Sequence, residues 1–136
     1  MRPRKILIVD DEANARSALA AILSDQGYRV ETAADGLDAL ERAAGFAPDV
    51  VVTDMRMPRL DGIGLLERLR AAGSAATMLV LSALGIDLPT AIGGRAVVRL
   101  QKPVDLDELR FHLGAPEVDE AAPAGAALAV AAPGTS

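Results

Sequence analysis

Five side chains able to do chemistry stand at the ends of aliphatic runs. Asp10 and Asp11 follow Ile6–Val9, Asp54 follows Val50–Thr53, Ser82 follows Met78–Leu81, and Lys102 comes just after Val97–Leu100. Taken singly, each has an ordinary explanation: a helix cap, a turn residue or a solvated charge. Taken together they are three carboxylates, a hydroxyl and an ammonium. Carboxylates a few ångströms apart repel by a few kcal/mol even at an effective dielectric of about 20, so the group needs a cation. There is no Cys and no cluster of His or Asn. Hard oxygen ligands of this kind suit Mg²⁺ rather than zinc. One divalent ion and one ammonium bring the three carboxylates close to neutrality, and such a pocket can accept a phosphoryl group. A carboxylate is a competent acceptor and forms an aspartyl phosphate. The metal offsets the developing charge, while Ser82 and Lys102 can each engage a phosphoryl oxygen.

The elements between these residues must bring them to one edge. Ile6–Val9 and Val50–Thr53 are continuous aliphatic runs, the pattern of strands covered on both faces. Arg29–Ala33, Met78–Leu81 and Val97–Leu100 read as further strands. Helical spacing lies between them. Ala15, Ala18, Leu19, Ile22 and Leu23 mark a first helix closed by Gly27, and Leu37, Leu40 and Ala44 a second, capped by Asp35. Ile63, Leu66 and Leu69 face inward on a third, with Asp61 as its cap and Gly62 allowing a tight loop. Asp105–Leu113 is a final short helix capped by Asp105, with Glu108 in the capping-box position. Leu84–Arg95 holds Pro89, Gly93 and Gly94, which predicts a short or irregular fourth helix there. Strand–helix alternation of this kind means right-handed crossovers and an α/β fold: a five-stranded, doubly wound parallel sheet with helices on both faces. Ligands of such sheets bind outside the carboxyl ends of the strands, which is where the five residues stand.

Composition narrows the function further. The chain has 136 residues and a formal charge of −5, and its aromatic content is 2%: Tyr28, Phe46 and Phe111. The acidic balance and scarcity of rings argue against direct nucleic-acid binding. No apolar run approaches the length of a membrane span, and the four aliphatic residues after the basic start are too few for a signal-peptide core. The expected setting is cytoplasmic. Residues 1–113 read as one domain. Residues 114–136, rich in Ala and Pro and without a base, read as a flexible tail.

Val9-Asp10-Asp11-Glu12, Asp54-Met55-Arg56-Met57-Pro58-Arg59-Leu60-Asp61-Gly62, Ser82-Ala83 and Lys102-Pro103 together resemble the receiver domain of two-component response regulators, over about Lys5 to Leu113. The resemblance implies a flavodoxin-like receiver fold. It implies that Asp54 is the residue phosphorylated by a histidine kinase, and that Mg²⁺ is held by Asp11 directly, Asp10 mainly through water, Asp54, and the backbone carbonyl of Arg56. Ser82 would be the switch hydroxyl, Lys102 would contact a phosphoryl oxygen, and the Lys102-Pro103 peptide would be cis. Such a domain is a signalling switch rather than a turnover enzyme, catalysing only its own phosphorylation and dephosphorylation. Its partners would be a histidine kinase and a downstream protein that the sequence does not name, with a homodimer left open.

Two departures bear on output. The family usually carries an aromatic residue or His three positions before the lysine, and here that position is Arg99, whose cationic tip favours water. The stretch from Ser82 to Lys102 is also about two residues shorter than is common in the family. The expectation is that a rearranged loop around Gly85–Arg95, with Arg99 on its face, reads out phosphorylation. Nothing after residue 113 reads as a DNA-binding helix-turn-helix, so output by protein contact or phosphoryl relay is expected. Arg99 and the weak fourth helix also fit an alternative, a receiver-like interaction module that is not phosphorylated. A phosphoester hydrolase with an Asp nucleophile would want an acid two residues further on, where Arg56 stands.

Overall fold

The structure, a computed structural model, describes residues 2–83 and 88–118. Its strands are β1 (Arg2–Pro3), β2 (Lys5–Val9), β3 (Arg29–Ala33), β4 (Val50–Asp54), β5 (Thr77–Ser82), β6 (Ala91–Ile92), β7 (Arg95–Gln101) and β8 (Glu117–Val118). Its helices are α1 (Ala13–Asp25), α2 (Gly36–Phe46), α3 (Gly62–Ala71) and α4 (Leu106–Leu113). The main sheet runs β3-β2-β4-β5-β7-β6. All its pairings are parallel except β6 with β7. The strand order reverses at β2, which has β3 on one side and β4 on the other. The crevice between the carboxyl ends of β2 and β4 is therefore the switch point.

Alternation along the central strands divides the core in two. Leu7, Val9, Val51, Met78 and Val80 face one side, under Ala39 and Phe46 of α2 and Leu65, Leu66 and Leu69 of α3. Ile6, Ile8, Val50, Val52, Leu79 and Leu81 face the other, with Leu23 of α1 and Leu109 and Leu113 of α4. Period-two side chains buried on both faces are what continuous aliphatic strands require. The caps on three helices are as expected: Asp35 accepts from the Asp38 N–H, Asp61 from the Gly64 N–H, and Asp105 from the Asp107 and Glu108 N–H groups.

The sheet has a sixth strand. Where a short or irregular helix was expected, Ala91–Ile92 instead turns back through Gly93 and Gly94 onto β7, with Ala91 opposite Ala96 and Ile92 opposite Arg95. Both glycines have positive φ, 61° and 79°. Two successive left-handed residues make the tight turn whose twist suits a hairpin, so this glycine pair closes a hairpin rather than merely weakening a helix. Residues 84–87 of that stretch lie outside the described residues.

The amino-terminal end of the sheet is tied down by charge and by the chain's own ends. The Arg2 guanidinium forks onto Asp49 with two 2.9 Å bonds, and the Lys5 N–H donates to the same carboxylate at 2.8 Å. Burial pushes the Asp49 carboxyl up, but the Arg2 and Lys5 bonds and the charges of Arg2 and Arg4 outweigh it and hold the carboxyl below its usual range. Beyond α4 the chain continues as part of the fold: β8 pairs antiparallel with β1, Pro116 accepts from the Arg4 N–H, and the Tyr28 hydroxyl donates to the Gly114 carbonyl. Of the expected flexible tail, residues 114–118 are thus engaged with the body, and 119–136 lie outside the described residues.

Candidate functional site

At the switch point, β2 delivers Asp10 and Asp11 and β4 delivers Asp54. One carboxylate oxygen from each lies within 4.8 Å of the others. Asp10 and Asp54 are buried, 9% and 8% exposed, and Asp11 is open to solvent. Both aspartates after β2 can face the pocket because neither caps α1: Glu12 does, accepting from the Ala15 N–H at 2.6 Å. Asp10 is fixed from both ends, its carboxylate accepting from the Glu12 N–H and its carbonyl from the Arg16 guanidinium.

Lys102 reaches the site from the strand two places away from β4. Its Nζ pairs with Asp54 Oδ1, and its backbone N–H donates to the Ser82 carbonyl at 2.8 Å. Ser82 ends β5 opposite Gln101 and is 9% exposed. The Lys102-Pro103 peptide is cis, as the family resemblance implies. Burial pushes the Asp54 carboxyl above its ordinary range. The Lys102 bond and charge pull it back, and Asp10 and Asp11 push it up further. The loop after Asp54 borders a cavity of about 350 Å³ lined by Met55, Arg56, Met57 and Asp61, and the Arg56 side chain is exposed.

The donor set fits a hard divalent cation. Three carboxylates with a single ammonium leave net negative charge, and their oxygens lie close enough to share one ion. Among the described residues this is the one acidic, His or Cys group with that geometry.

Arg99 lies apart from the acids, on β7 opposite Val80, exposed, with its guanidinium donating to the Leu88 carbonyl at 3.4 Å. Several supports were not legible from residue types. The Thr53 hydroxyl donates to the Asp54 carbonyl at 2.9 Å. Gly62 lies so close that an added Cβ would be 2.4 Å from that carbonyl oxygen. Arg59 pairs with Asp35 across the loop. The first two follow from a buried strand end, where every polar atom needs a partner and space is short.

A doubly wound α/β domain with an acidic pocket at its switch point and a lysine on the central aspartate defines a class. The family model described as response regulator receiver domain matches residues 6–113, and the chain belongs to that family. Receiver domains generally bind Mg²⁺ at an acidic pocket and take phosphoryl groups from histidine kinases. The chain is 41% identical over 115 residues to the response regulator MprA of Mycobacterium sp. (strain KMS), covering 83% of this chain and 50% of that protein. It is 39% identical over 137 residues to protein-glutamate methylesterase/protein-glutamine glutaminase 5 of Myxococcus xanthus, covering 96% of this chain and 39% of that protein. It therefore spans half or less of the length of these curated relatives. Among solved structures, the chemotaxis response regulator CheY4 of Vibrio cholerae superposes with a TM-score of 0.71 at 29% identity, over 81% of this chain and 98% of that one. No helix among the described residues is long and apolar enough to cross a membrane.

Proposed function

We propose that this chain is a Mg²⁺-dependent phosphoacceptor switch in a two-component pathway, with Asp54 as acceptor and a histidine kinase as donor. The observation that carries the reading is the meeting of Asp10, Asp11 and Asp54 within 4.8 Å while the Lys102 ammonium pairs with Asp54. Asp10, Asp11, Asp54 and the Arg56 carbonyl would hold the ion, which when bound offsets charge on the transferring phosphoryl oxygens. An Asp54 carboxylate oxygen attacks phosphorus; the new P–O bond forms as the P–N bond to the donor imidazole breaks, and the imidazole takes up a proton. Lys102 exchanges its hold on the carboxylate for a phosphoryl oxygen, and the Ser82 hydroxyl donates to another. The domain is a cytoplasmic signalling element that modifies only itself, and its output is a protein contact.

Incubating the chain with acetyl phosphate tests this. The intact mass rises by one phosphoryl group with Mg²⁺ and stays unchanged with EDTA. An unchanged mass in both, on a folded chain, supports the alternative of an interaction module that works by binding alone.

Ser82 and Arg99 are the switch in this reading. The Lys102 N–H donates to the Ser82 carbonyl and the Arg99 guanidinium to the Leu88 carbonyl. Movement of the Ser82 hydroxyl toward a phosphoryl group is then read on β7, where a guanidinium, rather than a ring, holds the Leu88 carbonyl. Beryllofluoride with Mg²⁺ therefore changes amide-exchange protection across residues 84–100. Unchanged protection there removes Arg99 from the switch.

A further inference from the structure

We propose that Arg59 is a positioning residue, whose ion pair with Asp35 docks the loop after Asp54 onto the N-terminus of α2 and holds the Met55–Arg56–Met57 turn beside the acidic pocket. Arg59 has φ 72°, in the left-handed region that a long side chain seldom occupies. A residue persists there when its surroundings hold it. Here Arg59 Nη2 lies 2.5 Å from Asp35 Oδ2. Asp35 is itself anchored, because its other oxygen caps α2 by accepting from the Asp38 N–H at 2.8 Å.

The next residue seals the contact. Leu60 lies over Gly36, where an added Cβ would be 2.6 Å from the Leu60 carbonyl oxygen and 2.8 Å from its Cβ. The loop is closed at its base by the Gly62 N–H on the Met55 carbonyl at 2.8 Å, and braced inside by the Leu60 N–H on the Pro58 carbonyl at 2.8 Å. It is thus a ring fixed to β4 at one end and to α2 at the other. The inner half of the ring carries Arg56, whose carbonyl the reading above assigns to the metal, and to that extent the inference rests on that reading. The Arg59 side chain is 57% exposed and that of Asp35 16%, so the pair works at the rim in partial contact with salt.

Two substitutions isolate the pair. Arg59→Asn removes the cation and suits the left-handed backbone, and Asp35→Asn keeps a competent cap while removing the charge. The first readout needs no metal: in metal-free protein, amide exchange across residues 55–61 quickens about threefold in either variant, the size an exposed ion pair supports. The double variant is no faster than the singles. The second readout is the binding constant for Mg²⁺ alone by calorimetry, which weakens by a similar factor in all three. Exchange in β4 and β5 is expected to stay unchanged, which separates this effect from a general loss of fold. Unchanged exchange in the loop, or additive effects in the double variant, overturns the proposal. Wild-type protein that binds no Mg²⁺ overturns the metal reading and leaves the exchange comparison to decide on the latch.

Discussion

Asp54→Asn leaves a folded chain that no longer gains a phosphoryl group from acetyl phosphate and Mg²⁺. Asn has the shape of the acceptor but an amide in place of the nucleophilic oxygen, so the mass gain expected of the wild type falls to background. The same exchange alters stability in the opposite sense from most substitutions at a buried position. Burial disfavours the Asp54 carboxylate, and the Asp10 and Asp11 charges add to that, against the single favourable partner Lys102. Sites built for function carry such crowding as a cost to the fold. In metal-free protein Asp54→Asn therefore unfolds at higher urea, because the neutral amide escapes the burial cost of the carboxylate and the repulsion from Asp10 and Asp11. With Mg²⁺ the order reverses, because an ion that binds only the folded state stabilises the chain with the better site. Urea midpoints for both proteins with Mg²⁺ and with EDTA give the four values needed. A variant that still takes up a phosphoryl group moves the acceptor elsewhere.

Among the described glycines, Gly62→Ala is expected to be the most damaging added methyl group. Its Cβ would stand 2.4 Å from the Asp54 carbonyl oxygen, 3.1 Å from the Met55 Cα and 3.2 Å from the Asp54 carbonyl carbon. All three are backbone atoms, so no rotamer change relieves the overlap. Either α3 moves away from β4 or the strand end carrying Asp54 moves. Overpacking of this kind costs about 3 kcal/mol, and the proposed phosphorylation of a displaced Asp54 is expected to fall along with stability. Gly45→Ala is the matched control: it lies in α2 with nothing within 4 Å of its added Cβ. There the methyl group only restrains a helical backbone and raises stability by about 0.5–1 kcal/mol. Equal stability of the two variants in urea contradicts the close approach at residue 62.

The strands and the acidic cluster were legible because their signals are local. A buried parallel strand is an unbroken aliphatic run, and the polar residue that ends it stands at the carboxyl edge, where sites form. Helix faces were harder. The spacing of Ala15, Ala18, Leu19, Ile22 and Leu23 marks α1, yet Leu23 is its one buried residue and Ile22 is 37% exposed. On α2 the buried residues are Gly36, Ala39 and Phe46, while Leu37 is 39% exposed. Alanine is nearly neutral between core and water, so in Ala-rich helices the apolar spacing identifies the helix but leaves its rotation open by a residue. Gly93-Gly94 did carry a hairpin signal, but flanking strand segments as short as Ala91–Ile92 have no alternation to support it. The Arg59–Asp35 pair joins residues 24 positions apart through a left-handed arginine, and no residue type or spacing announces that. The β1–β8 ribbon is likewise two residues against two, with proline in one strand, and only the folded chain brings it together.

Locating the phosphoryl group on the wild-type chain decides whether Asp54 is the acceptor. After reaction with acetyl phosphate and Mg²⁺, borohydride reduction converts an acyl phosphate to an alcohol that survives peptide mass spectrometry. One modified side chain is expected, Asp54, with Asp10 and Asp11 unchanged and no modification when EDTA replaces the metal. Modification at another residue, or an unmodified chain that demonstrably binds Mg²⁺, contradicts that assignment.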